Sequence, residues 1–285
     1  MNVLLWLLLP VGLILAVGLA ASFYVTSRRP RSAFHTPAEY GLEFEELKIK
    51  SADGLLLQGC WIPAKGSERA VIILHGHGGC LDWDLHRAPA LHAAGFNVFL
   101  FDFRAHGRSP GHLATFGYLE RYDVQGAVEF LKTRSIQSIG LLGFSYGAIA
   151  SMLTAPLCPE VRAVVADGGP ARLRVALSAR AMDFHLPRWL AVPLAWLAVA
   201  ITSARLGANL FRYEPIRWVG KIAPRPILFI HGELDRYCPD FDELFAAAGE
   251  PKEAWRLAGV VHTKASEVFP DEFRRRVIEF FDRNL

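Results

Sequence analysis

Charge is missing from the start of this chain. Between Val3 and Val25 the sequence reads VLLWLLLPVGLILAVGLAASFYV, with no charged side chain. Cysteine is sparse too. Cys60, Cys80, Cys158 and Cys238 are the only four; none is spaced C-x-x-C, and none pairs with histidine at zinc-finger intervals. Scattered in this way they do not make a disulfide scaffold, and free thiols are expected. There is no basic stripe. The formal net charge is +3 and the basic runs Arg28-Arg29-Pro30-Arg31 and Arg274-Arg275-Arg276 are short, so nucleic acid is not an expected partner. The second run sits on a helical pattern and reads as a solvated face. Internal repeats and low-complexity tracts are absent as well. The hydrophobic share is 52% and the charged share 21%, a balance that leaves room for part of the chain to meet lipid.

The uncharged run at the amino end is long enough to span a membrane. As a helix its 23 residues would cover ~35 Å, against a hydrocarbon core of ~30 Å. Trp6 and the pair Phe23-Tyr24 lie near its ends, where aromatic rings favour the membrane interface. A cleaved signal peptide is the rival, with Ala20-Ala21-Ser22 as a small-residue cleavage site. Such peptides carry a positive amino-terminal region and a shorter apolar core, both lacking here. We therefore expect residues 1–27 to be a single-pass anchor and residues 28–46 a connector. Arg28, Arg29 and Arg31 flank the carboxyl side, which by the positive-inside rule places the large domain in the cytoplasm. Export after cleavage is the alternative.

From residue 47 onward, short β-branched runs alternate with helical patterns. Leu47–Lys50 and Leu55–Trp61 flank Asp53-Gly54, a hairpin signal. Strand-like runs follow at 70–74, 97–103, 138–144, 161–166 and 226–230, with helical periodicity at 118–133 and 271–282. Strands alternating with helices imply a mostly parallel central sheet flanked by helices, with ligands bound at the carboxyl ends of the strands. Residues 47–285 thus form one α/β domain. Residues 168–222 interrupt the alternation with an apolar, tryptophan-rich stretch that includes WLAVPLAWLAVAITSA. It reads as a helical cap over the site, and a face dipping into the membrane is the other reading.

Three loops carry chemistry. Gly143-Phe144-Ser145-Tyr146-Gly147 follows a strand run and precedes a helical one. A serine on such a sharp turn has its Oγ lifted clear of the sheet and needs small neighbours. His75-Gly76-His77-Gly78-Gly79 also follows a strand, and its glycines let main-chain N–H groups approach a substrate. The backbone N–H groups of His77 and Tyr146 are the candidate oxyanion donors. His75 and His77 make a thin case for a metal without nearby carboxylates. Late in the chain, Glu233 and Asp235 follow another strand, and both qualify on chemistry as the group that orients an imidazole. His262 stands between the last strand-like run and the last helix.

Taken together, HGHGG, FDFRAHGRS, GFSYG, HGELDRYCP and VVHTKA, in that order, resemble the α/β-hydrolase superfamily. Within it they are similar to serine-esterase-like hydrolases with an N-terminal membrane anchor. The resemblance runs over roughly Leu47 to Leu285. It implies an α/β-hydrolase fold and a catalytic triad in the order Ser145, Asp235, His262, with the family pattern H-G-x-x-D-x-x-x-P selecting Asp235 over Glu233. Two positions depart from the pattern: Val261 and Ala105 stand where glycine is usual. The resemblance also implies hydrolysis of carboxylic esters, acyl or lipid-like, through an acyl-enzyme on Ser145, with no metal or organic cofactor. A peptidase or amidase on the same fold is the alternative, and a non-catalytic binding module is a third reading. His106 and Arg104 are expected to fix loop structure.

Overall fold

The computed structural model describes residues 3–31 and 35–285, with side chains from residue 12 onward. Part of the expected connector, residues 32–34, lies outside the described residues. Aliphatic and aromatic runs form β1 (Glu45–Lys50), β2 (Leu56–Ile62), β3 (Arg69–Leu74), β4 (Asn97–Phe101), β5 (Ser138–Phe144), β6 (Val161–Asp167), β7 (Ile227–Gly232) and β8 (Lys252–Leu257). Among the described residues these make one eight-stranded sheet in the order β8-β7-β6-β5-β3-β4-β2-β1. The five pairings from β8 to β4 are parallel. The two from β4 to β1 are antiparallel, with β1 and β2 joined through the Asp53-Gly54 turn.

The helices are α1 (Val3–Thr26), α2 (Ala88–Ala93), α3 (Glu120–Thr133), α4 (Tyr146–Thr154), α5 (Leu173–Asp183), α6 (Arg188–Leu206), α7 (Phe241–Ala247), α8 (Ala265–Val268) and α9 (Pro270–Asn284). Successive strand residues point to opposite faces, so each strand feeds two cores. On β3, Ala70, Ile72 and Leu74 pack beneath α3, α4 and α7. Val71 and Ile73 pack beneath α2 and α9. α9 buries Phe273, Val277, Phe280 and Phe281 on one stripe and turns Arg274–Arg276 outward to Asp271 and Glu272.

Three expected elements differ in extent, each for a polar reason. The strand expected at 97–103 stops at Phe101 because Asp102 turns in; its buried carboxylate accepts the N–H groups of Leu81 (2.7 Å) and Arg108 (2.9 Å). α3 starts at Glu120, whose buried carboxylate accepts the N–H groups of Thr115 (2.9 Å) and Gly117 (2.7 Å) and so organises the loop before it. β8 extends back to Lys252, because an edge strand tolerates the outward charges of Glu253 and Arg256 while Lys252 folds its ammonium back onto the Ala248 carbonyl (2.7 Å). Arg104 is structural. Its guanidinium bridges Asp123 of α3 (2.6 Å) and Asp53 of the first hairpin (2.6 Å). The next residue, Ala105, has φ 58°, the left-handed region in which the family's usual glycine is more at ease.

The interruption between β6 and β7 is a helical hairpin, α5 and α6, followed by short 3₁₀ turns. Leu173, Leu177, Ala195, Val199 and Leu210 form its small core. α6 continues through Pro193 for 19 residues and is, by length and composition, able to cross a membrane. Its tryptophans do not bury: Trp189 is 77% exposed and Trp196 48%. α1 lies along α6. Ser22 Oγ meets Thr202 Oγ1 at 2.8 Å, and Arg205 reaches Ser22 Oγ at 2.7 Å while its guanidinium lies 3.7 Å from the Phe23 ring centroid. Beyond α1 the chain straps onto the domain: the Arg29 N–H donates to the Ala105 carbonyl (2.6 Å), and the Arg31 side chain to that of Gly78 (2.6 Å). All four cysteines are buried free thiols.

Candidate active site

Ser145 sits at the junction of β5 and α4 with φ 51° and ψ −103°, a backbone region costly for any side chain. Two close approaches enforce the turn. A Cβ at Gly147 would lie 2.0 Å from the Leu74 carbonyl oxygen, and one at Gly143 would lie 2.5 Å from that of Gly147. Only glycine at both positions lets α4 start directly against β3. The Ser145 N–H donates to the Asp167 carbonyl at the end of β6 (2.8 Å), which pins the turn between two strands.

The loop after β8 brings His262 to this serine. His262 Nε2 lies 2.8 Å from Ser145 Oγ, and His262 Nδ1 lies 2.7 Å from Asp235 Oδ2. Asp235 is 3% exposed, and its other oxygen accepts the main-chain N–H of Tyr237 (2.9 Å). Glu233, the other carboxylate that qualified on chemistry alone, points to solvent. Val261 has its side chain exposed, so the usual glycine is dispensable there. The arrangement is a relay. Asp235 fixes the imidazole with Nδ1 protonated, which leaves Nε2 as an acceptor aimed at the serine hydroxyl.

The two expected oxyanion donors lie in segments next to the nucleophile. Tyr146 opens α4, so its N–H is one of the unsatisfied donors at a helix start. His77 follows Gly76, whose Cβ position lies 3.9 Å from Ser145 Cβ. The His77 ring itself stacks on Phe116 (5.0 Å) and packs against Tyr146. His75, His77 and His106 form a cluster around Tyr146 and Phe103. Burial pushes His75 down to about 4 and His77 and His106 down to about 3, so all three are neutral at pH 7. His75 accepts the Phe103 N–H at Nε2 (3.1 Å) and bonds the Gly76 carbonyl through Nδ1 (2.8 Å), a structural role.

Asp235, Cys238 and His262 offer atoms close enough to share a metal. Their other bonds argue for a relay instead. Both His262 nitrogens are engaged, and the Cys238 Sγ donates to the Gly168 carbonyl at 3.1 Å. Burial holds that thiol well above its usual range, in the protonated form that binds metals poorly.

Sequence reasoning missed two groups. Tyr237 packs its ring 4.8 Å from that of His262. Asp167 ends β6 behind the nucleophile, 3% exposed, with Oδ2 lacking a partner among the described residues. Burial is the main cause that pushes the Asp167 carboxyl up to about 8, with Asp235 and Asp84 adding repulsion and Arg87 opposing them. The position of Asp167 at a strand's carboxyl end was the one available signal for it.

A carboxyl raised in this way weakens the fold as pH rises. The folded chain keeps a proton that the unfolded chain releases above pH ~4. The resulting stabilisation is complete below that pH, declines by about 1.4 kcal/mol per pH unit, and is gone above pH about 8. Asp167→Asn stays neutral at every pH. Its stability relative to wild type, measured by urea unfolding, should therefore climb between pH 5 and pH 8 and level off beyond. A difference that does not change with pH would contradict the account.

Comparison with known proteins follows the same lines. The profile of the family described as "Serine aminopeptidase, S33" matches residues 65–217, which include Ser145 and the HGHGG loop. The uncharacterized protein YqkD of Bacillus subtilis is 28% identical over 241 residues, covering 82% of this chain and 78% of its own. The uncharacterized protein YfhR of Escherichia coli K12 is 26% identical over 249 residues, covering 83% of this chain and 80% of its own. Among solved structures, the Pyrococcus furiosus esterase Pf2001 is similar with a TM-score of 0.74 and 28% identity, over 90% of this chain and 98% of that one. With more than half its length matched by the profile, and with this fold, the chain belongs to the serine aminopeptidase S33 family of α/β-hydrolases.

Proposed function

We propose that this α/β-hydrolase cleaves carboxylic esters, with acyl or lipid-like substrates, through an acyl-enzyme on Ser145. The observation that carries the reading is the unbroken chain from Asp235 to His262 to Ser145, with bonds of 2.7 and 2.8 Å. A free serine hydroxyl holds its proton at neutral pH. His262 takes that proton through Nε2 as Oγ attacks the acyl carbonyl, and returns it to the departing alcohol. Asp235 holds the imidazole tautomer and stabilises the imidazolium. The N–H groups of His77 and Tyr146 meet the oxyanion, each contributing about 3 kcal/mol. Water then releases the acyl group by the same relay. The similarity to an esterase favours ester substrates, and the family's description favours amide hydrolysis as the second reading.

The test is direct. A fluorophosphonate should label Ser145, read by mass spectrometry of the modified peptide. Asp235→Asn should lower kcat by about 10⁴-fold through loss of the tautomer, while Glu233→Gln stays near wild type. Labelling at another serine, or equal losses in both folded variants, would sink the assignment.

We also propose that residues 1–27 anchor the chain in a membrane, with residues 47–285 on the cytoplasmic side. Supporting this, the apolar run forms one helix of 24 residues, about 36 Å long. In its described part Leu13, Ile14, Leu15 and Val17 are exposed. The contact of α1 with α6 would hold the cap at the membrane surface, close to acyl lipids. Expressed in cells, the full-length chain should resist carbonate extraction. A mature amino terminus near Ala21 or Ser22 would refute the anchor and favour export.

A further inference from the structure

The catalytic loop and the cap meet at a side chain that the proton relay itself does not use. Tyr237 lies two residues after Asp235. Its N–H holds the carboxylate oxygen that His262 leaves free, and its ring stands against the imidazole at an interplanar angle of 49°. Its hydroxyl donates to Asp183 Oδ2, on the last residue of α5. The Asp183 carboxylate is mostly buried and also meets Arg236 Nη2 at 2.9 Å and Arg180 Nη1 at 3.4 Å. Phe184, which caps the end of α5, packs edge-on against the Tyr24 ring at 6.0 Å. The end of α5 is therefore tied both to α1 and to the triad loop.

We propose that Tyr237 is a positioning residue that couples the seating of the cap to the imidazole of His262, with Asp183 as the cap's end of the coupling. His262 lies on a loop. One of its nitrogens must stay free to exchange protons with the substrate, so a single bond to Asp235 fixes its plane. A ring packed against the imidazole at 4.8 Å, tilted across its plane, supplies the missing restraint. The ring is firm because both its ends are held: its main chain by Asp235, and its hydroxyl by a charged acceptor in the cap, the stronger kind of hydrogen bond. A cap lifted by an entering substrate moves Asp183, and the imidazole loses its wall until the cap seats again. If Asp183 served only an ion cluster with Arg180 and Arg236, removing the phenol hydroxyl would leave the relay untouched.

The inference rests on Ser145 as the proposed nucleophile, so the readout is the rate of fluorophosphonate labelling at Ser145, which needs the relay but no particular substrate. The full-length protein is compared with Tyr237→Phe, Asp183→Ala, Asp183→Asn and the double variant Tyr237→Phe/Asp183→Ala, each with its melting temperature. Tyr237→Phe keeps the ring and the main-chain bond and should slow labelling about fivefold, the effect of one lost hydrogen bond. Asp183→Ala should do the same, and the double variant should be no slower than either single one, because both remove the same bond. Asp183→Asn keeps an acceptor oxygen and should recover most of the rate. Folded Tyr237→Phe that labels at the wild-type rate, or single effects that multiply in the double variant, would overturn the coupling. If Tyr237→Phe does not fold, the Asp183→Ala and Asp183→Asn pair reads the same bond from the cap side. Intact labelling without ester turnover would count against the ester reading alone.

Discussion

The main-chain contact between α4 and β3 governs this site. With Gly147 set against the Leu74 carbonyl, the first turn of α4 begins where β5 ends, and no other residue fits. That contact forces Ser145 into its strained turn and aims Oγ away from the sheet. The rest is arranged around the result. β6 supplies the carbonyl that anchors the Ser145 N–H, the loop after β7 supplies Asp235, and the loop after β8 supplies His262. All of these lie at carboxyl ends of neighbouring parallel strands, where helix starts and free main-chain donors also gather.

The residues around the nucleophile are neutral by design of burial. Three histidines and Asp167 surround the Ser145 turn without adding charge at neutral pH. The only charge the relay is asked to hold is that on Asp235, which is buried and holds two hydrogen bonds. A developing imidazolium then bonds one carboxylate directly, the buried Asp235.

Much of this was legible in the sequence because it is local. The glycines around Ser145, the strand before it and the helix after it occupy a dozen consecutive residues, and each strand with aliphatic residues on both faces announces itself. β8 was only partly legible because its charged residues mask an edge strand. The ends of β4 and α3 were misplaced because single carboxylates, Asp102 and Glu120, override periodicity by capturing main-chain N–H groups. Chemistry alone left Glu233 and Asp235 level; the spacing H-G-x-x-D-x-x-x-P picked Asp235, and the reason is burial, with Asp235 turned in and Glu233 turned to solvent. The bond from Tyr237 to Asp183 joins residues 54 apart in the chain, and no local pattern points to it. Composition left open whether the apolar stretch of the cap covers the site or turns a face to lipid; Trp189 and Trp196 face out, and only packing tells which way such a stretch turns.

The central claim is that Ser145 carries an acyl group during turnover. Rapid mixing with a p-nitrophenyl ester tests it most directly. The account predicts a burst of p-nitrophenol stoichiometric with active chains. It also predicts that the intact protein, quenched during the burst, gains the mass of the acyl group on Ser145. Linear release with no adduct, or an adduct that persists in Ser145→Ala, would contradict it.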